Sequence, residues 1–369
     1  MKKLRVLHTE WSMGWGGQEI RIVSEMESLR EQGFDMMIAA DPEACIFKEA
    51  EKRGFQTYPL TFDSPANPLT IWKVASLAKK VGADIIHTHS SKDSWIGGIA
   101  GKIAGIPVVR SRHISATIKP KPTNRLLYGY LPKSIITSGK IIAEQLIAAT
   151  SVPAEKVFAV RPGADPTRFK PNPQHREDVR NEYGIPLDAT VYGMVAVLRS
   201  WKGHCLFLEA IEPIMKGDES IYVLIVGEGP VRNIIEEKIE ELKLTDRVIL
   251  TGHQSDPERF YPALDVHLLP SLRNEGAPQA VPQAMMCGVV NITSDGGGLP
   301  EVIDHGETGL IAKAGDRESL HQCIKTLEED PDLRAKLAAA GQKKALESFT
   351  FERQVAKTKE AYEFAIARS

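Results

Sequence analysis

The chain has 369 residues, 42% of them hydrophobic, and a formal net charge of -2 at pH 7. That length predicts two domains, the apolar share is ample for packed cores, and the near-neutral balance excludes a protein that binds nucleic acid through bulk charge. Cys45, Cys205, Cys287 and Cys323 are widely spaced with no CxxC pair, which reads against a zinc site or a disulfide framework and toward a reducing cytoplasm.

The first eleven residues carry two lysines and a short apolar run broken by Arg5 and His8, which predicts a first strand and not a signal peptide. Residues 4–8, 36–40, 84–87 and 107–110 read as buried parallel strands, with amphipathic helical stretches such as 17–33 and 68–81 between them. From Ser94 to Ala143 there is no Asp or Glu, while Lys102, Arg110, Arg112, Lys119, Lys121, Arg125, Lys133 and Lys140 all fall there. Such a stretch is either a solvated basic face or a surface for an anionic membrane or a lipid-linked pyrophosphate. Residues 161–173 hold four prolines, which break both helix and strand and predict a domain boundary. The strand pattern resumes at 191–198, 222–226, 247–250, 266–269 and 289–293, each followed by a predicted helix. Strand–helix alternation on both sides of the boundary predicts an α/β chain with two Rossmann-like, doubly wound domains, at 1–165 and 170–349. No run of about 18 apolar residues is present, so no membrane span is predicted.

In doubly wound sheets ligands gather outside the carboxyl ends of the strands. The residues just after each predicted strand are therefore the candidates. After the first comes Trp15-Gly16-Gly17-Gln18-Glu19. Its glycines let backbone approach a phosphate before the helix begins. Position 19 is Glu, so the spacing fails GxGxxG and reads against a dinucleotide oxidoreductase. His87-Thr88-His89 suggests a metal, but no third ligand is evident in the sequence. Arg110, Arg112 and His113 follow another strand, and Arg199, Lys202 and Gly203 follow the first strand of the second half. After residues 266–269 the loop carries Arg273, Asn274, Glu275, Gly276, Ala277 and Pro278. A carboxylate accepts from hydroxyls, and the amides of a helix start attract anions. One loop that grips both groups points to a nucleotide sugar.

The long block 270–310 resembles the donor-binding signature of retaining glycosyltransferases of the GT-B fold, family 4. Glu275-Gly276 matches the family's Glu-Gly, and Ala284-Met285-Met286-Cys287-Gly288 its Ala-Met-Ala-Cys-Gly. Gln283 stands where the family has a second Glu. Gly297-Gly298-Leu299-Pro300-Glu301, Gly306-Glu307-Thr308-Gly309 and the Pro162-to-Phe169 connection extend the likeness over nearly the whole chain. The resemblance implies two facing domains with a cleft between them, and a last helix, 350–369, that returns to the first domain. It implies retaining transfer of a sugar from a nucleotide-diphosphate donor, a UDP-sugar favoured, to an acceptor hydroxyl, with no metal or other cofactor.

The same resemblance assigns the residues. Glu275 contacts donor hydroxyls, Gln283 the ribose, with its carbonyl accepting and its amide donating. Gly276, Ala277 and Pro278 hold the phosphates, Gly227, His253 and Gln254 lie by the nucleotide, and Gly16 and Gly17 lie beside the pyrophosphate. Lys202, with Arg199 as a substitute cation, stabilises the leaving diphosphate, and His113 shields the sugar. His89, Arg112, Lys119 and Lys121 face the acceptor or the membrane. Leu126, Leu127, Tyr128, Tyr130 and Leu131 hint at a lipid-linked or lipopolysaccharide acceptor at the inner face of the cytoplasmic membrane. Two other readings stay open: a nucleotide-sugar epimerase of the same fold, although residues 113–122 offer no clear acid/base set, and a non-catalytic nucleotide-binding protein.

Overall fold

A computed structural model of the chain describes residues 3–65, 67–113, 118–272, 275–276 and 278–369. Contacts divide it into two units: one runs up to Pro162 and resumes at Phe351, and the other spans Gly163–Thr350.

The first unit is built on a parallel sheet of seven strands: β1 Arg5–Glu10, β2 Asp35–Ala40, β3 Gln56–Pro59, β4 Ile85–Thr88, β5 Val108–Arg112, β6 Ser134–Thr137 and β7 Val157–Ala159. Their order is β3-β2-β1-β4-β5-β6-β7. Parallel neighbours need crossovers, and here most are helices that cover both faces, so the central strands are buried almost throughout. One face packs Ile22, Val23, Met26 and Leu29 of helix Gly17–Glu31 with Tyr362. The other packs Ile71, Val74 and Ala78 with Ile96 and Ala100.

Helix Phe351–Ala367 belongs to this unit. It buries Gln354, Val355, Thr358, Ala361, Tyr362 and Ala365, a helical spacing that gives one face to the sheet. That face meets helix Gly17–Glu31 and strands β5, β6 and β7. Polar contacts fix its register: Gln354 donates to Glu25, and Ser134 Oγ donates to the Ala361 carbonyl at 2.8 Å.

The second unit has six parallel strands: β8 Thr190–Val195, β9 Ile221–Val226, β10 Val248–Leu250, β11 Val266–Leu269, β12 Val290–Ser294 and β13 Leu310–Ala312, in the order β10-β9-β8-β11-β12-β13. The strand expected over 191–198 ends at Val195, and the chain leaves the sheet there as a loop. Two expected helices are absent. After β10 the chain makes 3₁₀ turns at Pro257–Arg259 and Tyr261–Ala263, where Pro257 and Pro262 remove the N–H groups a helix would need. After β12 there is only the 3₁₀ turn Leu299–Glu301.

Candidate active site

In each sheet the strand order reverses at one place, between β1 and β4 in the first and between β8 and β11 in the second. Connections from the two strands leave in opposite directions there, which opens a crevice at their carboxyl ends. Lys202 and Glu275 follow β8 and β11, Gly16, Gly17 and His89 follow β1 and β4, and His113, Gly227, His253 and Gln254 follow neighbouring strands.

In the second unit the loops after β8 and β11 are locked together. Gly203 has φ +86°, and a Cβ there would lie 2.3 Å from the Pro270 carbonyl oxygen, so only glycine fits. Leu272 N donates to the Trp201 carbonyl at 2.8 Å. This registration brings Lys202 Nζ within 2.5 Å of Glu275 Oε1, and Ser271 Oγ donates to the same oxygen at 2.8 Å. Glu275 is 6% exposed, and Gly298 N holds its backbone carbonyl at 2.8 Å. Its second oxygen, Oε2, has no partner among the described residues. Arg199 is exposed and lies 5.2 Å over the Trp201 ring, outside the Lys202–Glu275 pair.

Other predicted residues lie around this pair. Gly276 and Pro278 follow Glu275 directly, while Ala277, with Arg273 and Asn274, lies outside the described residues. Gln283 sits on helix Ala280–Met286, and its carbonyl accepts from the buried Tyr261 hydroxyl at 2.8 Å. Burial holds the Tyr261 phenol well above its ordinary pKa, so it stays a donor. The Gln283 carbonyl thus already accepts one hydrogen bond, and its second lone pair and its amide N–H groups remain for a ligand. Gly227 N donates to the Gly252 carbonyl at 2.9 Å and joins the ends of β9 and β10. His253 is exposed beside them, and Gln254 turns back to the Thr251 carbonyl at 3.2 Å.

In the first unit the organiser is Glu10, which the sequence reading missed. Its Oε1 accepts from Trp11 N at 2.8 Å and Ser12 N at 2.9 Å. Its Oε2 accepts from Gln18 Nε2 at 2.6 Å and Ser90 Oγ at 3.1 Å. One carboxylate thus ties the loop after β1 to the loop after β4. Asp93 accepts from His89 N at 2.7 Å and Ser90 N at 2.9 Å, and burial followed by the nearby Glu10 raises its pKa to about 8. The only sequence signal for Glu10 was an acid closing an apolar run. Gly16 starts the helix, with its N–H on Glu19 Oε2 at 2.9 Å. A Cβ on Gly17 would meet nothing within 4 Å. Nothing in the packing requires glycine at position 17.

Beneath these loops lie four imidazoles. His8 and His87 are cross-strand partners on β1 and β4. His8 Nδ1 is 2.8 Å from His89 Nε2, and His89 Nδ1 is 3.1 Å from His113 Nε2. His87 uses both nitrogens, each at 2.8 Å, on Tyr362 and Ser111. The sequence offers no evident third ligand beside His87 and His89; β1 supplies a third imidazole, His8. Both nitrogens of His87 and of His89 are hydrogen-bonded, so a metal would have to break a bond at each of those two rings, while His8 Nε2 has no partner among the described residues. His89 is also corrected: it is buried, and both nitrogens are engaged by histidines, so neither is available to an acceptor.

The basic stretch divides in two. Arg110 and Arg112 point their guanidinium groups at the Tyr128 hydroxyl, at 3.1 and 2.7 Å. Leu127, Tyr128 and Leu131 fill a small core with Ile135 and Leu146 and do not face a lipid, which corrects that reading. Leu126 and Tyr130 are exposed, as are Lys119, Lys121 and Arg125. Among the described residues no helix is long and apolar enough to cross a membrane.

Two family profiles cover most of this architecture. The family Glycosyl transferases group 1 matches residues 175–344, and Glycosyltransferase Family 4 matches residues 15–168. The chain belongs to the GT-B glycosyltransferases of this group. It is an enzyme of the hexosyltransferase type that uses nucleotide sugars. It is 28% identical over 377 residues to the UDP-Gal:alpha-D-GlcNAc-diphosphoundecaprenol alpha-1,3-galactosyltransferase of Escherichia coli, covering 98% of this chain and 97% of that one. A glycosyltransferase from Rickettsia africae ESF-5 shares the fold over 100% of both chains, with TM-score 0.90 and 22% identity. Anabaena Alr3699/HepE, solved with UDP and glucose, does so over 98% of this chain and 99% of its own, with TM-score 0.84 and 21% identity.

The two glycines of this glycosyltransferase should respond differently to substitution. Gly203→Ala forces a Cβ onto Pro270 at a positive φ and should cost at least about 2 kcal/mol. Gly17→Ala should stay within about 0.5 kcal/mol of the parent, since the site is open and the helix gains a better former. Urea midpoints at unchanged slope measure both, and an unshifted Gly203→Ala would show that the two loops are not locked.

Acid should weaken the fold. Six imidazoles, those of the buried His8, His87, His89, His204 and His267 and of the half-buried His113, titrate below the ordinary value, chiefly through loss of solvation. The unfolded chain takes up protons at these rings below about pH 6.5, while the folded chain does not, so their stabilisation is complete above that pH and is lost as pH falls. Glu10, Glu25 and Asp93 are raised and act in the opposite sense, but they are three against six. The urea midpoint should therefore fall from pH 7 to pH 5, and a rising midpoint would mean that the imidazoles are charged in the folded chain.

Proposed function

We propose that this enzyme is a retaining, metal-independent glycosyltransferase. It moves a hexosyl group from a UDP-sugar to a hydroxyl of a lipid-linked or lipopolysaccharide acceptor in surface-glycan assembly. The observation that carries the reading is the Lys202–Glu275 pair at the reversal point between β8 and β11. A departing nucleoside diphosphate gathers negative charge on its phosphate oxygens, and a preset cation in a partly dry site stabilises that charge where many transferases use a metal. Lys202 is that cation, with Arg199 three residues before it as a second. Glu275 holds Lys202 through Oε1 and presents Oε2 to donor hydroxyls, so one carboxylate orients both the sugar and the amine. Gly276 offers a backbone N–H to the phosphates in the loop before helix Ala280–Met286, and Pro278, which has no N–H, shapes that loop.

No carboxylate among the described residues is assigned here as a nucleophile on the donor sugar. Front-face displacement suits that arrangement. The bond from the anomeric carbon to the phosphate oxygen breaks as the acceptor oxygen bonds to the same face. The acceptor proton passes to the departing phosphate. His113 is assigned to a donor-sugar oxygen, and Gly16-Gly17 to the pyrophosphate. The UDP preference is supported by the E. coli relative, named for UDP-Gal, and by the Anabaena structure with UDP and glucose. The acceptor class is supported by the diphosphoundecaprenol-linked sugar in that relative's name. Exposed Leu126 and Tyr130 among Lys119, Lys121 and Arg125 form a surface suited to the anionic inner face of the cytoplasmic membrane.

A thermal-shift panel of UDP-, GDP- and ADP-sugars in EDTA tests the donor. A rise in melting temperature with UDP-sugars alone is expected, by mass action on the native state. A rise that disappears in EDTA would end the metal-independent reading. With the responsive donor and a lipid-linked acceptor, Lys202→Ala should lower kcat by about 10²-fold or more. Full turnover by Arg199→Ala would remove Arg199 from the site. The product anomer, read by proton NMR, should keep the donor configuration.

A further inference from the structure

Three of the four buried imidazoles form an unbroken line. His8 Nδ1 meets His89 Nε2 at 2.8 Å, and His89 Nδ1 meets His113 Nε2 at 3.1 Å. Successive rings lie within 17° of parallel. His87 stands outside the line, held by Tyr362 and Ser111. The two free ends, His8 Nε2 and His113 Nδ1, are buried and have no hydrogen-bond partner among the described residues. A neutral imidazole has one N–H and one lone pair. Burial keeps all three rings neutral, His8 down to about 3 and the other two well below the ordinary value, with Arg21 as the charged neighbour that adds to the lowering of His89 and His113.

Three neutral rings joined by two hydrogen bonds have only two self-consistent arrangements. In the first, each ring donates toward His8, which leaves His8 Nε2–H unpaired and His113 Nδ1 as a bare lone pair. In the second, each ring donates toward His113, which leaves His8 Nε2 as a bare lone pair and His113 Nδ1–H free. The ends differ in access. His8 is 0% exposed on a central strand, whereas His113 is half-buried where β5 meets its loop. The Nδ1 atom of His113 is itself buried, but only the His113 end lies at the loop side of the sheet, so a substrate that reaches the line can complete it only there. The first arrangement therefore always leaves an N–H without an acceptor in the core, a defect that proteins rarely tolerate. The second leaves a bare lone pair there, which is the lesser fault, and offers its N–H to an incoming oxygen.

We infer that His8 and His89 are positioning residues that fix His113 in its Nδ1–H form, so that His113 donates a hydrogen bond to a substrate oxygen and does not act as a general base. This rests on the assignment of His113 to the donor sugar made above. It gives the line a directional role: β1 and β4 together set what the end of β5 presents.

Nitrogen-15 NMR of histidine-labelled full-length enzyme tests it, because two-bond proton couplings distinguish the two tautomers. His8, His89 and His113 should each carry the proton on Nδ1, free and with UDP-sugar, and the His113 signal should move when UDP-sugar is added. A proton on His113 Nε2 in the UDP-sugar complex overturns the inference, whatever the affinity. Kinetics provide a second reading. His8→Asn keeps an N–H in the Nδ1 position and should leave donor KM within about 3-fold, whereas His8→Leu removes it and should raise KM by about 10-fold, the scale of one hydrogen bond. Equal effects of the two variants would reduce His8 to a packing residue and sink the proposal. If no UDP-, GDP- or ADP-sugar shifts either the spectrum or the melting temperature, the donor assignment fails, while the tautomers of the free enzyme still decide whether the line has this direction.

Discussion

In a parallel sheet covered by helices on both faces, ligand-binding side chains gather outside the carboxyl ends of the strands. Both units obey that constraint, and the candidate chemistry follows from it. Lys202 and Glu275 come from loops 73 positions apart in the chain. They meet because β8 and β11 are adjacent and their connections diverge. Glu10, Gln18 and Ser90 meet for the same reason above β1 and β4.

The two clusters answer the cost of burial differently. In the second unit a charged pair is kept, with Lys202 at 19% and Glu275 at 8% side-chain exposure. Such a pair is weak evidence of stability, since desolvation offsets much of its attraction. Its better rationale is order, because each group holds the other's position before a ligand arrives. In the first unit the imidazoles are deeper, charge is not retained, and what organises them is which nitrogen carries the proton. Glu10 lies between these cases: buried, with its pKa raised by burial, it accepts four hydrogen bonds that oppose the rise. Those bonds account for a carboxyl group lasting at the end of a central strand.

Much of this was legible in the sequence because it is local. Glu275-Gly276, Lys202-Gly203 and Gly16-Gly17 each lie in a loop directly after an apolar run, so position and residue type agree. The core strands were legible for the same reason, as runs of Val, Ile and Met. What escaped depended on pairing. His8 sits inside an apolar run and becomes informative only when β1 lies beside β4 and puts it opposite His87. Glu10 needed the same pairing to reach Ser90. Strands β3, β7 and β13 have only three or four residues, lie at sheet edges and are partly exposed, while β6 is buried but has only four residues, two of them Ser and Thr. The basic stretch misled because composition cannot say which side of a short helical segment faces in. Tyr128 is drawn inward by Arg110 and Arg112, while Tyr130, two residues on, stacks on Lys102 at the surface.

Gln283 shows how a departure from a family pattern is read through its neighbours. A carboxylate there would face the Tyr261 hydroxyl, which burial keeps protonated and donating. An amide carbonyl accepts that same hydrogen bond without placing a charge beside the apolar Tyr261 and Phe169 rings, which pack edge to face at 5.9 Å. The change from acid to amide is thus compatible with the packing below it, and its consequence is confined to the outward side, where a donor replaces an acceptor. The floor of the site sets what kind of change its rim can absorb.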